Sequence, residues 1–109
     1  MIEKYNLNEM VKGWFIGNFE PSLFKTEAFE LAVKSYKEGD FEEEHYHKVA
    51  TEFTVVIEGL IELNGVQYGV NDIIKIQPGD CAKFKSITNS LTVVVKIPGA
   101  INDKYLTTK

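Results

Sequence analysis

Arginine is absent from the 109 residues, and all twelve basic side chains are lysines. That excludes substrates held by a bidentate guanidinium clamp on phosphate or carboxylate, because lysine acts only as a point charge. Cysteine occurs once, at Cys81, so there is no internal disulfide framework, and a reducing compartment is expected. Nothing near Cys81 in sequence would lower its pKa, so a structural role is expected of it. No apolar run approaches membrane-spanning length. The opening segment MIEKYNLNEM carries charges where a secretory leader needs an apolar core. A cytoplasmic protein without a membrane partner is expected. The net charge of -4 argues against a general nucleic-acid binder, which would show a basic face. No convincing amphipathic helix, repeat or linker interrupts the chain.

What remains is a chain of short alternating segments. Hydrophobic residues at 44% and charged residues at 26% are ordinary for one globular domain with a single modest core. Ala28 to Tyr36 alternates, with Phe29, Leu31 and Val33 on one face. Further strands are predicted over Phe53 to Glu58, Leu60 to Leu63, Val66 to Val70, Ile73 to Ile76, Ala82 to Ile87 and Leu91 to Ile97. Asn64-Gly65 is a strong hairpin signal, and Asn71 tolerates the left-handed backbone of the next turn. Seven or eight strands with regular turns predict an all-β sandwich or barrel. Residues 1–27 form an aromatic-rich arm around Trp14 and Phe15, for which core packing is expected, laid on the barrel or on a partner. Residues 28–98 form the barrel and 99–109 a polar, loose C-terminal tail.

The chemistry concentrates in GDFEEEHYHKVATEFTVVIEG, residues 39–59, which holds both histidines. Residues i and i+2 of a strand share a face, so His45 and His47 look at one space. If the chain turns over Lys48 to Thr51 and returns antiparallel, Glu52 comes back beside the two rings. Two imidazoles and a carboxylate form a facial set for a divalent transition metal, with open positions for substrate. Iron, manganese, nickel, copper and zinc all accept these donors. Thr54, Val56 and Ala82 share the parity of the cavity face. Glu42, Glu43 and Glu44 read as a solvated loop edge.

This stretch resembles the first motif of the cupin family, G-x5-H-x-H-x(3,4)-E-x6-G, on Gly39, His45, His47, Glu52 and Gly59. The second motif, G-x5-P-x-G-x2-H-x3-N, is matched in part. Gly79 fits, with Asn71, Gln77, Ala82 and Ser86 at the other positions, so Ala82 replaces the fourth ligand. The resemblance covers residues 29–98. It implies a double-stranded β-helix, a jelly-roll-like small barrel, binding a metal through His45, His47 and Glu52. It also implies oxygenation or isomerisation of a small polar metabolite, and a homodimer. His45-Tyr46-His47-Lys48 is also similar to the His-x-His-Lys of cupin-type nucleotide-sugar ketoisomerases, in which a histidine pair moves protons without a metal. A third possibility is a non-catalytic module that binds a small molecule.

Overall fold

The computed structural model describes residues 1–107; the last two residues of the expected tail lie outside the described part. A single 3-10 turn, Leu7–Glu9, is followed by ten strands. These are β1 (Trp14–Ile16), β2 (Glu30–Tyr36), β3 (Phe41–Tyr46), β4 (Thr51–Glu58), β5 (Ile61–Leu63), β6 (Val66–Tyr68), β7 (Ile73–Ile76), β8 (Ala82–Ser86), β9 (Ser90–Ile97) and β10 (Tyr105–Leu106). They form two five-stranded antiparallel sheets, ordered β1-β2-β9-β4-β7 and β10-β3-β8-β5-β6. The strands beyond the expected seven or eight come from the chain ends, where β1 pairs with β2 and β10 with β3.

Local chemistry explains the tight connections. Asn64 and Gly65 both have positive φ, 53° and 83°, as the two central residues of a type I′ hairpin require. Asn71, at φ 74°, takes the left-handed position that its short amide tolerates. Buried residues alternate with exposed ones along β8 and with partly exposed ones along most of β9, so each strand gives one face to the interior. Val56, Ile61, Ile74 and Phe84 form the apolar core, with Tyr36, Leu63, Tyr68 and Ile76 packed around it. Burying side chains such as Val56 and Ile61 contributes about 1.5–3 kcal/mol each.

Three expectations are corrected. First, the face of β2 carrying Leu31 and Val33 is only partly buried, whereas Glu30 and Ala32 are buried. The interior face of β2 therefore carries Glu30, Ala32, Lys34 and Tyr36, which share one parity. Secondly, β3 and β4 do not form a hairpin. They belong to different sheets, and the link between them crosses the barrel.

Thirdly, the tail is not loose over its described residues, which end at Thr107. Asp103 is buried, and its carboxylate accepts from the backbone N–H groups of Lys48, Val49 and Ala50, the best at 2.8 Å from Lys48 and 2.9 Å from Ala50. Those donors lie in the β3–β4 crossing, where no ladder satisfies them. Among the described residues no helix is long and apolar enough to cross a membrane.

Candidate functional site

A cavity of about 400 Å³ opens above the apolar core, with Ile61, Leu63, Ile76 and Phe84 forming part of its lining. His45 and His47 line it together, their ring centroids 5.4 Å apart and nearly edge to face. A β-bulge sets their approach. Glu42 pairs with Phe84 and His45 with Ala82, so β3 spends one residue more than β8 over this interval. The extra residue resets the alternation and turns Glu42 inward with the histidines, where simple parity sends it outward. Glu42 accordingly lines the cavity.

The two rings differ. His45 Nδ1 donates to the Glu43 carbonyl oxygen at 2.9 Å. Because a carbonyl can only accept, that bond fixes the tautomer and leaves Nε2 as a lone-pair donor. His47 is buried, and its Nδ1 has no hydrogen-bond partner. Burial lowers the His47 pKa, Lys96 lowers it further, and Asp103 opposes them. The backbone of His47 is fixed from the β7–β8 turn, since its carbonyl accepts from Gly79 N–H at 2.8 Å.

Glu52 lies on the opposite sheet. It stands in register between Lys96 of β9 and Ile76 of β7, and it accepts from the Thr54 hydroxyl at 3.3 Å. Glu52 lines the same cavity but faces the histidines across it, because the β3–β4 link crosses between sheets. Among the described residues no three His, Cys, Asp or Glu side chains are grouped closely enough to hold a metal ion. Two imidazole nitrogens fit a metal as donors; the carboxylate is not gathered to them. Thr54 and Ala82 line the cavity. Val56 points inward but is fully buried in the apolar cluster beneath. Cys81 is exposed, not packed in the core.

Several residues of this site escaped the spacing argument. Glu30, Lys96 and Glu52 occupy one rung across β2, β9 and β4. Burial lowers the pKa of Lys96 against the opposing pull of Glu52 and Glu30, and burial raises that of Glu30. Lys34 pairs with Glu42 at 3.5 Å. Trp14 lines the cavity rather than the core, with the ammonium groups of Lys96 and Lys34 at 4.9 and 5.7 Å from its ring centroid. Tyr36 is there too, its hydroxyl pKa raised by burial and then by Glu42, Glu52 and Asp40. The available signal was parity: Lys96 continues the interior face of Thr92 and Val94.

No family model matches the chain, and no curated protein sequence does. Solved structures do match. A conserved double-stranded β-helix protein from Klebsiella pneumoniae superposes with a TM-score of 0.70 at 21% identity, over 97% of this chain and 92% of that one. A sugar phosphate isomerase from a cupin superfamily, from Silicibacter pomeroyi, has a TM-score of 0.58 at 22% identity, over 64% of this chain and 50% of that one. Bacterial pirin YhhW from Escherichia coli, in complex with nickel(II), has a TM-score of 0.67 at 16% identity, over 81% of this chain and 39% of that one. At these identities the likeness is one of fold: two antiparallel sheets closing on a polar cavity, which is the cupin double-stranded β-helix.

Proposed function

We propose that this chain binds a small polar metabolite in its cavity, and that His45 and His47 are the donors to a divalent transition metal there, with Glu52 adding negative charge from the facing wall. The observation that carries this reading is the histidine pair itself. One ring has its tautomer fixed so that Nε2 is free, and the other is buried with an unpartnered nitrogen. A buried polar atom without a partner costs about 1–3 kcal/mol, so a ligand that satisfies it is favoured. A bound metal would supply Lewis-acid polarisation of a substrate oxygen. Glu43 orients His45, and Glu52 brings negative charge to a wall it shares with Lys96.

The separation of Glu52 from the pair favours a second reading. In it, His45 and His47 act as an acid–base couple on a keto sugar, using the near-neutral pKa range of imidazole. Elemental analysis divides the two. Protein purified without chelator is compared with the His45→Ala, His47→Ala double variant. Near-stoichiometric metal in the wild type alone supports the first reading. No metal in either, with added iron, manganese, nickel and zinc also failing to bind, overturns it.

A further inference from the structure

Two lysines approach one indole inside this cavity, and the register shows how. Trp14 sits beside Ala32 on the rung that continues to Val94, while Lys34 and Lys96 lie on the rungs to either side. Their stems lean toward the middle rung, bringing both ammonium groups within 6 Å of the same ring centroid. The Lys34 side chain is only 17% exposed. Like charges converging in a half-buried space repel, and cation–π attraction to one ring offsets only part of that cost. The balancing carboxylates are Glu42, 3.5 Å from Lys34, and Glu30 and Glu52, which stand in register on the two strands beside Lys96. Both lysines line the cavity with the indole, so an anion bound beside the ring meets two positive charges.

We propose that Lys34, Lys96 and Trp14 form the recognition site for the anionic end of a hydroxylated ligand, one carrying a single phosphate or carboxylate. The proposal rests on the reading that the cavity binds a small polar metabolite, and it names the class. The two ammonium groups take the anion. The indole offers an apolar surface to the carbon skeleton. The Glu42 and Glu52 carboxylates accept hydrogen bonds from ligand hydroxyls. With no arginine in the chain, lysine is the side chain left for this task.

Trp14 is the single tryptophan, so its indole N–H gives one assignable resonance that reports on this site. The experiment is an NMR titration of the full chain, with chelator present so that its outcome is independent of any metal. The probes are inorganic phosphate, pyruvate and, as an uncharged hydroxylated control, glycerol. The expected result is a saturable shift of the indole resonance with phosphate, pyruvate or both, and none with glycerol. Phosphate alone identifies a phosphate ester, and pyruvate alone a carboxylate. Lys34→Gln and Lys96→Gln each weaken that binding roughly ten-fold or more, the loss of one charge-assisted contact. Lys85→Gln, an exposed lysine on the outer face of β8, leaves it within about two-fold, which separates the cavity lysines from surface charge. An indole resonance unmoved by both anions overturns the proposal, as does equal binding in the lysine variants. Should a glutamine variant fail to fold, the wild-type amide map decides: largest shifts away from residues 14, 34 and 96 overturn it.

Discussion

The surroundings of His47 disfavour its protonation, and that has a consequence for stability. Burial and the neighbouring Lys96 lower its pKa in the folded chain, while the unfolded chain titrates near the ordinary value of about 6.5. Below that pH the unfolded state binds a proton that the folded state refuses, so the unfolded state binds more protons and stability falls on acidification. The contribution is intact above about pH 6.5 and is lost toward the lowered folded value. Urea midpoints of chelated protein, measured from pH 8 to pH 5, should decline over this window. His47→Gln should flatten that part of the profile, and an unchanged slope would show that another group is responsible. The pairing of the two histidines was legible in the sequence because a spacing of two puts side chains on one face. Lys34 and Lys96 were not legible, because each appears in sequence as an isolated charge in an apolar strand. Only the cross-strand register reveals that they meet at Trp14.

At the level of elements, the crossing from β3 to β4 organises the site, and Asp103 holds it. Its carboxylate keeps a lowered pKa, since three backbone N–H bonds outweigh the burial that opposes ionisation. Asp103→Ala leaves those donors unmatched and should cost roughly 2–4 kcal/mol in chemical denaturation. It should also speed amide exchange at Lys48 to Ala50, whereas a loss confined to β10 would mean the crossing stands without it. Gly13 fixes the other wall. Its φ is 81°, and a Cβ there would lie 1.8 Å from the Val33 carbonyl oxygen, which is backbone and cannot yield. Gly13→Ala should therefore lower stability by about 1–3 kcal/mol and displace Trp14. A melting point and indole resonance matching wild type would contradict this. Most strands and turns could be read from alternation and from Asn-Gly chemistry. The hairpin assumed between His47 and Glu52 failed because periodicity within a strand says nothing of which sheet the next strand joins. The bulge at Glu43–Glu44 was invisible for a related reason: it changes parity without changing composition.

For the molecule as a whole, the two sheets share their functional groups unequally. The histidines come from β3 and its end, and Glu52 from β4 across the cavity, so a ligand bridging them would tie sheet to sheet. A metal that binds the folded chain alone raises stability by RT ln(1 + [L]/Kd), about 2.7 kcal/mol at a hundredfold excess over Kd. For a domain of this size that corresponds to a rise in Tm of about 10 °C or more. Thermal melts with nickel or zinc at pH 7.5 should show this rise, growing with the logarithm of metal concentration. The gain should shrink as pH falls through about 6, because the imidazoles must be deprotonated to bind. Glu52→Gln separates the contributions of the two walls. If the carboxylate joins the histidines on the metal, the variant should lose most of the gain. If the pair acts alone, it should keep the gain, and only the His45→Ala, His47→Ala variant should abolish it. Equal stabilisation of that double variant would place the metal elsewhere on the chain and leave the histidine pair to acid–base work.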